Sequence, residues 1–480
     1  MIRTPMNSQF RSLGSGVKWN SLGSVGAVLS KVLRGAVIPK LLDPLSYGLF
    51  TSVFIYTRYL QFSDFGATAY FTKRLPDCHF NQGETEERRL VDQTYTLILI
   101  SSIPVFLCLG LASLFYQGAN RSFYHVAFPL LFLITLATKL KEFYITHATG
   151  VQDYRKAALA SVISNYVSLL LTGGGVILGG ALGGIVGMLV AECLVLGWVA
   201  RVSGLLPRIT FGRQLLEEWR GRIWLFLVSM NDTLTSTLDQ IFILAIFDPK
   251  DLGIYGLGLA FGWTIESVSE VFNTTSYPKL MALAKLDRKA AIEFTHQTIH
   301  CYLLASLVAL PFLMGLIEAA VGVYFVRYQA GLDVYHIMIF LGLARGGMAL
   351  VRRAYIAFDR EGSYIAFSLA SSLVFITALG IAKGFGLTFE DVVKVIVAIY
   401  GGSFLLFYVG MANRLGLVFW KNLALILLIV ASLTIFQFLI RTTSSALFGV
   451  SGGVGFLITV FALALGWLLV ERDFVASYLK

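Results

Sequence analysis

Long apolar runs recur from one end of this chain to the other, each bounded by charged clusters or by Gly and Pro. Runs of about 20 residues have the length of a helix that crosses a bilayer core. Read between their boundaries, they predict fourteen helices. The expected spans are 17–38, 46–71, 94–116, 122–147, 156–178, 181–200, 223–247, 252–277, 297–321, 333–356, 363–382, 389–412, 422–440 and 450–470. None shows the period-two alternation of a membrane β-strand. The expected class is therefore all-α and polytopic.

Composition agrees with that pattern. Of 480 residues 56% are hydrophobic and 14% charged, against about 25% charged in soluble domains. The net charge of +10 is what retained cytoplasmic loops produce in a membrane protein. No basic stripe with interleaved aromatics suggests a nucleic-acid partner. Four cysteines without a CxxC pair indicate neither a disulfide framework nor a zinc site. The N-terminal segment lacks a convincing cleavage site and reads as an interfacial lead into the first span.

Charge placement tests the span count. With the N-terminus inside, the segments 1–18, 73–89, 155–156, 201–222, 279–289, 352–360, 414–421 and 472–480 hold 25 Lys and Arg. The external turns hold six, namely Lys40, Arg121, Lys250, Arg327, Lys383 and Arg441. That asymmetry is the positive-inside pattern, and it places both ends of the chain in the cytoplasm. The external connections are short, which leaves no room for an extramembrane catalytic domain, and no nucleophile–base pair or metal motif stands out. The chain is expected not to be an enzyme and to carry no cofactor.

A second pattern is internal. Aligning Trp19–Phe50 with Trp224–Tyr255 without gaps gives nine identities in 32 positions, including Trp19/Trp224, Asp43/Asp248, Pro44/Pro249 and Gly48/Gly253. Tyr154 and "LAS" at 159–161 echo Tyr364 and "LAS" at 369–371. Six spans separate the copies, so both keep one orientation, as in parallel-repeat transporters. The expected organisation is an N-terminal six-helix lobe over 1–205, a second over 206–415 and an extra helix pair over 416–480. In each copy the Asp caps free N–H groups and the Pro starts a helix without needing its own N–H.

The turn "LLDPLSYGL" (41–49), the stretch "FSDFGATAYFTKR" (62–74) and "LDQIFILAIFDPKDLGIY" (238–255) resemble the polysaccharide flippases. These belong to the multidrug/oligosaccharidyl-lipid/polysaccharide (MOP) exporter superfamily. The resemblance covers the plan of the whole chain. It implies two six-helix lobes forming a V and export of undecaprenyl-pyrophosphate-linked sugar units, for O-antigen, exopolysaccharide or capsule, across a bacterial inner membrane. It also implies partners among polysaccharide polymerases and chain-length proteins.

Ionisable groups inside spans are expensive and so point to function. Lys31 and Arg34 share a face of span 1. Arg58 and Asp64 lie on span 2, Asp232 and Asp239 on span 7, Glu266 and Glu270 on span 8, and Arg345 on span 10. Arg34 plus the repeat offset of 205 is Asp239, so equivalent depths carry opposite charges. Lys31, Arg34, Arg58 and Arg345 are the expected substrate cations, for a pyrophosphate or acidic sugars. Asp64, Asp232, Asp239, Glu266 and Glu270 are the expected charge partners or H⁺ or Na⁺ acceptors. The plainer alternative is a set of interhelical salt bridges.

Other features take a structural reading. Glu293, His296 and His300 share a face but are few ligands for a metal. The series Gly175, Gly179, Gly183 and Gly187 crosses the turn between spans 5 and 6 and reads as close packing. Tyr and Trp near span ends read as interface anchors, although Tyr56 and Trp263 could stack on sugars. "NQGETEERR" (81–89) reads as a solvated loop. Two other functions compete with the flippase: a cation-coupled exporter of drugs or another lipid, and a membrane-embedded polymerase or ligase.

Overall fold

The computed structural model describes residues 32–79, 83–118, 120–210 and 219–415, together with Gly26, Leu29 and Ser30. The two C-terminal spans expected at 422–440 and 450–470, and most of the first span, lie outside the described residues. Among the described residues the structure is helical with no strand.

Helix α1 runs over 32–41. It is followed by α2 (Pro44–Leu60), a 3-10 turn at Gln61–Asp64, α3 (Ala67–Asp77), α4 (Glu84–Phe115), α5 (Arg121–Gly150) and α6 (Tyr154–Ser203). Then come α7 (Trp219–Ile246), α8 (Pro249–Leu286), α9 (Arg288–Ala319), α10 (Leu332–Ala357), α11 (Glu361–Gly384) and α12 (Phe389–Leu415). Six segments among the described residues are long and apolar enough to cross a membrane: Glu84–Phe115, Arg121–Gly150, Tyr154–Ser203, Val326–Ala357, Gly362–Gly384 and Phe389–Met411. Outside that set fall α2, α7, α8 and most of α9, which hold most of the ionisable candidates. The chain is a multi-pass membrane protein.

By packing, the chain divides into two compact units, Met1–Gly256 and Leu257–Lys480. In the first, α5 packs against α4 and α6. One end of this layer is closed by Phe71, Leu75, Leu90, Ile98, Phe143 and Val195. In the second, α10 packs against α9 and α12, and α12 against α11, around the buried Tyr302, Tyr335, Met338 and Tyr408.

The repeated turn has a local cause and a tertiary one. Asp43 accepts hydrogen bonds from the N–H of Leu45 at 3.0 Å and of Ser46 at 3.1 Å, and Pro44 opens α2, so two orphan donors of the first turn are satisfied. Burial alone would raise the Asp43 carboxyl; the hydrogen bonds from Ser46 and Leu45 outweigh it and hold the group below the usual carboxylate range. In the second copy the Asp248 carbonyl accepts from Asp251 and Leu252 as α8 begins. The two turns touch each other. A Cβ on Gly48 would lie 1.6 Å from the carbonyl oxygen of Pro249, and one on Gly253 would lie 1.9 Å from that of Pro44. The repeated glycines let the first turns of α2 and α8 press backbone to backbone, each copy against the other.

Two helices depart from the expected spans. The apolar run at 46–71 is broken, because Phe65 (φ 48°) and Gly66 (φ 81°) adopt left-handed backbone. The Asp64 carboxylate then caps α3, accepting from Gly66 N at 3.1 Å, Thr68 N at 3.0 Å and Thr68 Oγ1 at 2.6 Å. The expected spans 5 and 6 form one 50-residue element folded back at Gly179 and Gly180. Its arms are in backbone contact, since a Cβ on Gly183 would lie 2.2 Å from Gly175 O and one on Gly187 2.1 Å from Leu171 O. The stretch after α6 lies along α4, with Arg208 N on Asp92 Oδ1 at 2.7 Å and Thr210 N on Thr96 Oγ1 at 3.0 Å.

Candidate functional site: buried cations of the first unit

The first unit holds a seam of charge between α1, α5 and the two arms of α6. Lys141, on α5, places Nζ 2.7 Å from Glu192 Oε2, and both side chains are buried. The same Nζ donates to Ser164 Oγ at 2.9 Å. Arg34 of α1 donates from Nη2 to Ser168 Oγ at 2.9 Å, and Glu192 also acts on its charge. Ser164 and Ser168 are one turn apart on α6, about 6 Å along the axis. Two cations are therefore anchored to serines one helical turn apart, with Glu192 acting on both. The side chain of Glu142 is about half exposed and reaches Lys141 only at 4.0 Å.

A third cation, Lys139, is 4% exposed and donates to Ser63 Oγ beside Asp64. Two residues apart on a helix, Lys139 and Lys141 point to different neighbours. One holds the break between α2 and α3 and the other meets α6. Sequence reasoning passed over both lysines. The signal was the "KLKEF" of 139–143, three charges in five residues inside the span expected at 122–147.

The expected site residues fall into separate groups. Arg34 joins the seam with Lys141 and Glu192. Asp64 is the cap of α3 and neighbour of Lys139. Asp239 is fully buried and accepts a hydrogen bond from Tyr255. Nearby, Tyr59 Oη lies 2.6 Å from Thr237 Oγ1, and both Asp239 and the half-buried Arg58 act on Tyr59. The contacts that define Arg34 and Asp239 are thus different sets. Lys31 and the side chain of Asp232 lie outside the described residues.

In the second unit Arg345 stacks on Tyr400, 4.8 Å from the ring centre, and donates to its hydroxyl at 3.2 Å. Glu266 is half-buried near Tyr302, and Glu270 faces Arg353 at 3.3 Å. Tyr56 packs edge-on against Phe128 at 5.9 Å. The rings of His296 and His300 lie parallel at 6.1 Å. Among the described residues no group of three His, Cys, Asp or Glu is placed to hold a metal.

Membrane-length helices with ionisable groups buried between them make up the chain, and its fold is that of solved MOP-superfamily structures. Solved structures with this fold include "Lipid II flippase MurJ, inward closed conformation", at TM-score 0.69 and 14% identity over 95% of this chain and 99% of that one. A multidrug resistance MATE family transporter of the MOP superfamily, inward-facing, matches at TM-score 0.58 and 14% identity over 82% and 96%. A MOP superfamily transporter from Pyrococcus furiosus matches at 0.51 and 13% over 84% and 96%. A comparison with curated protein sequences gives no significant match. Residues 13–284, more than half of the chain, match the family described as polysaccharide biosynthesis protein. The chain belongs to that family.

Proposed function

We propose that this protein flips undecaprenyl-pyrophosphate-linked oligosaccharide units from the cytoplasmic to the outer leaflet of a bacterial inner membrane. Both of its termini would be cytoplasmic. The observation that carries the reading is the sign of the seam: the half-buried Arg34 and the buried Lys141 bond to serines one turn apart on α6, and Glu192 acts on both. Such a seam keeps net positive charge where a desolvated anion gains most from it. A pyrophosphate offers two phosphoryl groups, and Arg presents several donors in a planar fork suited to phosphate oxygens. Lys31 and Arg58 would extend the same attraction, and Arg345 would add a cation in the second unit. Asp239, with Asp232, Glu266 or Glu270, would take up the H⁺ or Na⁺ that returns the carrier. The family match supports the polysaccharide side of this reading. An exporter of cationic drugs needs carboxylates in excess at its site, the opposite of this seam.

The test is translocation. Exchanging Lys31, Arg34 and Arg58 for Gln should abolish appearance of lipid-linked sugar on the outer leaflet of cells that depend on this chain, with membrane protein levels unchanged. Continued translocation by that triple variant overturns the reading.

A further inference from the structure

After Ser203 the chain leaves α6 through Gly204, in left-handed backbone (φ 65°), and residues 204–210 are non-helical. This strap is pinned to α4 at two points. Arg208 N donates to Asp92 Oδ1 at 2.7 Å, and Thr210 N donates to Thr96 Oγ1 at 3.0 Å. The spacings agree, since two residues of extended chain cover about 6.6 Å and four residues of helix about 6 Å. Thr96 Oγ1 gives its own proton to the carbonyl of Asp92, at 2.7 Å, so it meets the strap as an acceptor.

The strap has a direction. Helix α4 opens with the charged run at 84–89 and turns apolar after it. Arg208 lies at Asp92 and Thr210 at Thr96, one turn further on, so the strap runs from the charged end towards the apolar span. Backbone that enters lipid must have its N–H groups taken up by protein, because no water is there to accept them. Asp92 and Thr96, both buried, supply those acceptors.

The exposed side chains of this stretch are of two kinds. Leu206 is 84% exposed and Ile209 58%. Arg201 and Arg208 stand on either side of Leu206 in the chain and are exposed too. Neither guanidinium has an ion-pair partner among the described residues. An acidic soluble partner would answer the arginines and leave the two apolar side chains in water. A zwitterionic lipid would cover the apolar pair and leave the charge unmatched. A lipid with a net negative headgroup answers both, with phosphate oxygens for the guanidinium forks and hydrocarbon for Leu206 and Ile209.

We propose that residues 201–210 form a site for an anionic phospholipid of the membrane itself. Its headgroup pairs with Arg201 and Arg208, and its acyl chain lies on Leu206 and Ile209. The strap belongs to the connection between α6 and α7, so the bound lipid ties that connection to one leaflet. The site stands or falls independently of the flippase reading.

The experiment titrates the full chain in detergent with phosphatidylglycerol or phosphatidylcholine and follows retained lipid by native mass spectrometry. Phosphatidylglycerol should be retained in preference. Arg201→Gln/Arg208→Gln should weaken it about tenfold or more, on a scale of about fivefold per arginine, and leave phosphatidylcholine unchanged. Equal retention of the two lipids, an unaltered preference in the double variant, or displacement of phosphatidylglycerol by millimolar inorganic phosphate overturns the site. Depth is read separately, in a cysteine-free background. A bimane label on Ile209→Cys in phosphatidylglycerol nanodiscs should be quenched by lipids brominated on the acyl chain. Quenching by aqueous iodide alone overturns the contact with the acyl chain.

Discussion

Lys141 and Glu192 meet at 2.7 Å with side chains 6% and 7% exposed. Removing one member of such a pair strands a buried charge and costs about 3–5 kcal/mol, whereas replacing both with apolar residues is often neutral. Lys141→Met should therefore lower the unfolding temperature of the purified protein in detergent sharply, and Lys141→Met/Glu192→Leu should recover most of it. The double variant then separates packing from function. Recovered stability with lost translocation assigns the lysine to substrate; recovered stability with normal translocation makes the pair purely structural. Sequence reasoning reached Arg34 because a lone arginine inside an apolar run is conspicuous. It missed Lys141, which lies well inside α5, because a lysine reads the same in sequence whether it reaches water or a buried glutamate. The identity of a charge is written in the sequence, but its partner depends on which helices touch. Asp64 illustrates the same limit, since its carboxylate serves its own chain as the cap of α3.

At the level of elements, the folded-back α6 turns on its glycines. Gly183→Leu would push a side chain into Gly175 O, so the arms must separate and the seam carried on Ser164, Ser168 and Glu192 must spread with them. The expected result is a marked loss of folded, monodisperse protein on size exclusion. Gly174→Ala, one residue from Gly175 but with nothing within 4 Å of its added Cβ, should be neutral or stabilising by up to about 1 kcal/mol, since alanine is the better helix former. Helix positions were largely legible from apolar run lengths, because burial in lipid or protein selects for that pattern along the whole element. The break at Phe65–Gly66 was not. Apolar residues continue through it, and what interrupts the helix is a backbone conformation that hydrophobicity does not encode.

For the molecule as a whole, orientation follows from the distribution of Lys and Arg. In a cysteine-free background, a single cysteine at Lys250 should react with a membrane-impermeant maleimide on intact cells. One at Lys289 should react only after the membrane is opened. Both positions are exposed, so burial does not confound the comparison. The reverse pattern would overturn the proposed topology and, with it, the proposed direction of transport.

The contact between the two Asp-Pro turns has a consequence for how this chain can change over generations. Gly48 and Gly253 are not neighbours whose side chains could trade volume. Each is opposed by the other copy's proline carbonyl, an atom that no mutation can shorten. Growth at one position therefore has no compensating substitution at the other, and the two codons are held to glycine jointly. A surface that recognises its own copy is the pattern of a two-fold pairing between identical subunits. Within the stretch where the two repeats read alike, the Asp-Pro turns are each other's binding partner.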